Sequence, residues 1–168
     1  MNSAQLFYDV KKRLTSDTGT NGLYPTGGTP LVTGIFNNWA SPTQDMPYIV
    51  WTLVSGVPDE TFATNEDEIV FQLSVFTSKR PADLARSQKI LNRIYGNGVK
   101  QSTRLPTYGL HRHTLVSSYP DGVETTDDWG YTACHAGGAY HLEGEDFINT
   151  GREWKLRMYQ TFASVQET

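Results

Sequence analysis

Two runs of alternating side chains followed at once by a helical run constrain this chain more than any other feature. In Met46–Ser55, Ile49, Trp51 and Leu53 point one way and Tyr48, Val50, Thr52 and Val54 the other. In Glu68–Ser78, Ile69, Phe71, Leu73 and Val75 alternate with Val70, Gln72, Ser74 and Phe76. Apolar residues on both faces predict central strands. The stretch between them, Gly56–Asp67, holds Gly56, Pro58 and an acidic, polar tip, so an antiparallel hairpin with a long loop is expected. Pro81 then suits a first helical turn, Asp83 suits a helix N-terminus and Gly96 stands where a glycine stop belongs. Leu84, Ser87, Leu91 and Ile94 form a stripe with Ile90 beside it, to lie on the sheet; Arg86, Lys89 and Arg93 are expected to face water.

Around this unit the pattern is sparser. Ser3 is placed to cap a short amphipathic helix whose Leu6, Phe7, Val10 and Leu14 share a face, with Lys11, Lys12 and Arg13 in its last turn. Residues 15–46 are dense in Gly and Pro, which break helices and ladders, and only Leu31–Phe36 offers a strand. A shorter strand is expected at Arg112–Tyr119, a second long loop at 120–151, and a last strand where Trp154, Leu156, Met158, Gln160 and Phe162 alternate with polar residues. The expectation is one α+β domain over residues 1–168. It has a mostly antiparallel sheet of four to five strands, with two helices packed on one face and long loops at 15–46 and 120–151.

The 168 residues suit a single core. A net charge of −4 with 12% aromatics argues against both disorder and a dedicated nucleic-acid binder, which shows a basic face. The single cysteine, Cys134, excludes an internal disulfide and suits a reducing compartment. The first residues lack a signal-peptide pattern and no apolar stretch is long enough to span a bilayer, so a protein made in a cytoplasm, without a membrane partner, is expected.

No grouping of residues reaches catalysis. His111, His113, His135 and His141 lack the tight spacing of a zinc site, and Cys134 has no imidazole placed to activate it. The acids Asp59, Glu60, Glu66, Asp67 and Glu68, and later Glu143, Glu145 and Asp146, fall in polar loops where burial cannot raise a carboxyl pKa for glycosidase work. Gly27-Gly28 and Gly137-Gly138 lack a nucleotide loop's context. No enzyme, catalytic residue, cofactor or metal is therefore expected. The aromatics Trp129, Tyr131 and Tyr140 suit a subunit interface, or the stacking site of a small carbohydrate- or protein-binding module; a metal-assisted hydrolase using His111, His113 and His141 is the remaining reading. Leu31, Val32, Ile35, Phe36 and Trp39, stranded in a long loop, are expected to find burial against neighbouring subunits.

The order of these segments carries a resemblance. "MPYIVWTLVSGVPDE", "EIVFQLSVFTS", the helix "PADLARSQKILNRIYG" and the closing "EWKLRMYQTFAS" follow a short N-terminal helix. Over residues 1–14, 46–96 and 153–164 this resembles the tail-completion, or tail-terminator, proteins that join head to tail in long-tailed bacteriophages. Residues 15–46 and 120–151 are longer than that family's turns and match nothing in it. The resemblance implies a virion protein, assembled in the host cytoplasm, that forms a ring, hexameric by analogy, at the head–tail neck. Its partners would be further copies of itself, the tail tube protein and the head connector, stopper or portal-associated proteins, with DNA passing through the lumen unbound. On that reading Leu31, Ile35, Phe36, Trp39, Trp129, Tyr131 and Tyr140 are the contact candidates. Asp59, Glu60, Glu66 and Asp67 are candidates to line the lumen and repel the DNA backbone.

Overall fold

The computed structural model describes residues 3–61, 64–96, 108–116 and 127–162. The elements run α1 (Ser3–Ser16), β1 (Ile35–Asn37), β2 (Tyr48–Thr61), β3 (Thr64–Ser78), α2 (Pro81–Tyr95), β4 (Asp127–Tyr131), β5 (His135–Glu143) and β6 (Phe147–Phe162). The fold is α+β. Its six-stranded sheet has the order β1-β2-β3-β6-β4, with β5 also on β6. The sheet is mixed, because the short β1 runs parallel to β2 while every other pairing is antiparallel.

Both helices lie on one face, and the register explains why. Ile49, Trp51 and Leu53 of β2 stand opposite Val75, Leu73 and Phe71 of β3, and Phe71 stands opposite Trp154 of β6. Their side chains therefore share one face, and nearly all are buried there. Leu6, Val10 and Leu14 of α1 and Ile90 and Ile94 of α2 close over it. Phe7 packs on Trp51 with ring centroids 5.7 Å apart, and Ser87 bonds Thr150 at 2.8 Å. Side chains of Trp51 and Phe71 size each contribute about 1.5–3 kcal/mol on burial, so this layer carries most of the stability.

Several elements differ from the sequence reading. β2 and β3 continue to Thr61 and Thr64, so the expected loop at 56–67 is strand almost to its tip. A bulge between Leu53 and Ser55 absorbs the irregularity, and Pro58 is tolerated because β1 covers β2 only as far as Trp51. The expected strand at 112–119 reduces, over its described residues, to one bridge, Thr114 to Ala133. The chain cannot stay extended there, since Gly109 and Arg112 both take positive φ. Gly109 also touches Gly96, whose own φ is 93°; a Cβ on either would strike the other's backbone. Over its described residues the expected loop at 120–151 is mostly strand, in β4, β5 and the start of β6, which begins at Phe147, seven residues before Trp154. In α2 the buried stripe is Ser87, Ile90 and Ile94, leaving Leu84 40% exposed.

The long segment after α1 is ordered by its own chain. Leu23, Val32 and Ile35 are each 2% exposed, inside the core. Arg86, expected to face water, donates from Nε to Leu31 O and from Nη2 to Pro30 O, both at 3.1 Å, and Arg93 donates to Gly22 O. Backbone bonds complete the loop: Leu31 N–H to Leu23 O at 2.9 Å and Thr26 N–H to Thr18 O at 2.8 Å.

Candidate interaction surface

With the helices on one face, the other face of the sheet has no covering layer among the described residues. The same register that buries Trp51 puts Tyr48, Val50 and Thr52 on this open face. Val70, Gln72, Ser74 and Phe76 join them from β3, and Phe147, Asn149, Glu153, Lys155 and Arg157 from β6. One end is aromatic. Tyr48 stacks on Phe76 at 5.1 Å, Phe36 meets Tyr48 edge-on at 5.9 Å, and Phe147 lies 5.7 Å from Phe76. Around this row, Leu142 is 59% exposed and Met46 40%. The other end is charged, with Arg157 and Glu66 paired at 3.5 Å. An apolar patch bordered by charge on an otherwise uncovered face is the usual composition of a protein-binding surface.

The contact candidates scatter over this frame. Ile35 and Tyr131 are buried at 2% and 3% exposure inside their own core, so they offer a neighbour no surface. Tyr131 donates to Asp9 Oδ2 at 2.5 Å, tying β4 to α1, and burial followed by that bond raises its phenol pKa far above the ordinary value. Leu31 packs against the core, and Phe36 joins the aromatic row. Tyr140 lies across Gly151 on the open face and bonds Ser74 Oγ, a contact that depends on residue 151 having no side chain. Trp39, 70% exposed, is the candidate most available to a partner. The side chain of Trp129 lies outside the described residues.

Asp59 and Glu60 sit on β2 opposite Glu66 and Asn65, with their side chains outside the described residues. Glu66 lies on the open face against Arg157, and Asp67, opposite Met158, lies on the helix side.

The histidines and cysteine make structural contacts. His111 accepts the Ala136 N–H at Nδ1 (3.2 Å) and stacks on Tyr95 at 4.6 Å, with its pKa lowered mainly by burial. Burial, then Arg13, pushes His113 down to about 4. His141 pairs with Glu143 at 3.3 Å. Cys134 is fully buried, and its thiol is pushed up to about 12 by burial, far from a reactive thiolate. Among the described residues no His, Cys, Asp and Glu side chains group as a metal site, and no helix is long and apolar enough to cross a membrane.

No protein-family model matches the sequence. Among solved structures, the fold is similar to that of a chain in the virion of a native gene transfer agent (GTA) particle. The TM-score is 0.53 at 13% identity, and the match covers 94% of this chain and 96% of that one. At this identity the match establishes a shared fold, and it runs nearly end to end.

The sequence reading missed Phe76, Phe147, Leu142 and Arg152. For Phe76 the signal was present: period-two alternation puts it on the face opposite Phe71. Leu142 and Arg152 acquire their places only from the β5–β6 pairing, and β5 (HAGGAYHLE) has little strand propensity of its own.

Proposed function

We propose that this chain is a structural component of a phage-like virion, and within it a ring-forming protein of the head–tail neck that ends the tail tube and joins it to the head connector. The observation that carries this reading is the end-to-end match in fold to a chain of the gene transfer agent virion. The order of strands and helices, similar to that of tail-completion proteins, supports the finer role. On this reading the chain acts by contact, and the burial of Cys134 and the stacking of His111 on Tyr95 are in keeping with that role. Its working surfaces are the aromatic half of the open face and the exposed Trp39, where apolar side chains meet water in a contiguous group. Partners are further copies of itself, the tube and the connector, with DNA passing through without specific binding.

The test is assembly in the absence of this chain. Particles made without it should yield separate heads and tails, with tails of irregular length, and added purified protein should restore joined particles. Complete, infectious or gene-transferring particles without the protein would refute the role.

A further inference from the structure

Between α2 and β5, on the helix side of the sheet, runs a groove of 390 Å³. β5 pairs with β6 and with no other described strand, so the groove lies at an edge of the sheet. Gln88, Leu91, Asn92 and Tyr95 of α2 form one wall, and His141 and Arg152 line the strand side. The register dictates this placement. Arg152 stands opposite Ala139 of β5 and Leu73 of β3, so its side chain shares the face of Leu73, under the helices.

Neutral groups hold the Arg152 guanidinium in place. Nη1 donates to Gly137 O at 3.1 Å, and the group lies 5.5 Å over the Tyr95 ring. The bulge between Ala136 and Ala139 takes Gly137 out of the ladder, which leaves its carbonyl for Arg152. A guanidinium carries five N–H donors in a planar fork, and these contacts use one. Among the described residues no carboxylate pairs with it, and none lines the groove. Its neighbour Glu153 faces the other side of the sheet, where Gln72 Nε2 donates to it at 3.5 Å. Glu143, the one acid of β5, pairs with His141 at 3.3 Å and stands opposite Ile148, four positions along β6 from Arg152.

A half-buried guanidinium fixed by a carbonyl and a ring, with no anion from its own groove, favours an incoming planar anion. Leu91 and the Tyr95 ring supply an apolar wall for a short stem. Asn92 adds a donor: its Oδ1 already accepts from Gln88 Nε2 at 3.2 Å, so Nδ2 is the end left to donate. We propose that this groove is a carboxylate-binding site, with the acid in the fork of Arg152 and its stem against Leu91 and Tyr95. The ligand class is a glutamate-like acid, either the side chain of a polypeptide or a free small carboxylic acid. With no lysine or second arginine in the lining, the site suits one negative charge better than a phosphate dianion. It is separate from the aromatic row and Trp39, and it does not depend on the neck reading.

Saturation-transfer NMR on the full chain tests this, because it reads weak ligands in any assembly state. The probes are glutarate, N-acetyl-glutamate amide, its neutral counterpart N-acetyl-glutamine amide, and inorganic phosphate. At least one acid should bind saturably, on the order of millimolar for ligands of this size. Phosphate and the neutral probe should bind about tenfold more weakly or worse. Tighter binding of the capped glutamate assigns the site to a polypeptide side chain; tighter binding of glutarate assigns it to a free acid. Arg152→Gln should weaken the acids about tenfold or more, and Arg152→Lys should restore only part, since lysine keeps the charge and lacks the fork. Asn92→Asp, at an exposed helix position, sets a carboxylate in the groove and should abolish binding of the acids. Should Arg152→Gln fail to fold, Asn92→Asp decides. Equal binding of the neutral probe or phosphate, unchanged binding in Asn92→Asp or in folded Arg152→Gln, or no saturable binding by either acid overturns the proposal. None of these outcomes bears on head–tail joining, which the assembly test reads by itself.

Discussion

Arg86→Ala should release the long loop after α1 without unfolding the domain. The side chain gives two charge-assisted hydrogen bonds, to Leu31 O and Pro30 O, each at 3.1 Å. Such bonds contribute about 1.5–3 kcal/mol when buried. Arg86 is only partly buried and water replaces part of what it loses, so about 1–2 kcal/mol in total is expected. That is about a 5–30-fold rise in the open population of the loop. Native-state hydrogen exchange on the monomeric chain reads this directly. The Leu31 amide, bonded to Leu23 O, and the Thr26 amide, bonded to Thr18 O, should lose protection by that factor, while the β3–β6 ladder keeps its own. Arg93→Ala, which frees Gly22 O, should act on the same segment. If the two clips hold it as one unit, the double variant will lose less than the sum of the singles. Loop amides that are unprotected in the wild-type monomer, and become protected only on assembly, would refute this reasoning; neighbours would then order the loop.

Three further outcomes follow from the packing. Tyr131→Phe removes a buried hydrogen bond to Asp9 and should cost about 1.5–3 kcal/mol in urea unfolding, with a smaller effect in an Asp9→Asn background. Gly151→Ala places a methyl group against the Leu73 carbonyl and the Tyr140 ring; the ring can swing away but the sheet backbone cannot, so a loss of about 1–3 kcal/mol and release of Tyr140 from Ser74 are expected. His113, whose pKa is depressed to about 4 by burial and then by Arg13, stays neutral in the folded chain while the unfolded chain protonates near 6.5. Its contribution is therefore present above about pH 6.5 and is lost as pH falls toward 4. Because the ring is half exposed, the loss should be about 1 kcal/mol once solvent screening is allowed for, and His113→Asn should remove that part of the pH dependence of thermal unfolding.

Period-two and period-3.6 patterning made the central layers legible because those residues are placed by burial, and burial has a period. Tyr48–Leu53, Ile69–Ser78 and the α1 face all sit where the alternation puts them. The same reasoning broke down where a different force decides. At the β2–β3 tip the ladder runs on through polar residues, so Asp59, Glu60 and Glu66 look like loop residues although they sit in a strand. β5 is a strand because β6 offers it an edge, and its two glycines coincide with a bulge between Ala136 and Ala139. Arg86 and Arg93 carry a helix-surface pattern, but their guanidinium groups reach carbonyls 55 and 71 residues away in the chain, a relation no local period records.

That last point changes what the exposed apolar groups mean. Apolar spots in 15–46 would argue for assembly only if the fold left them uncovered, and it buries Leu23, Val32 and Ile35 in its own core. What stays uncovered is different: Trp39, Leu142 and the row Phe36–Tyr48–Phe76–Phe147 on the sheet's open face, together with two strand edges. A domain whose segments are already clipped to its core can meet a partner as a rigid body and loses little conformational entropy on doing so. Trp39→Ala distinguishes the two kinds of apolar residue. At 70% exposure it should leave thermal stability within about 0.5 kcal/mol of wild type. If Trp39 anchors an interface, the same change should weaken self-association or head–tail joining by about tenfold or more, as loss of a tryptophan hot spot does. A loss of stability with unchanged association would assign Trp39 to the fold instead.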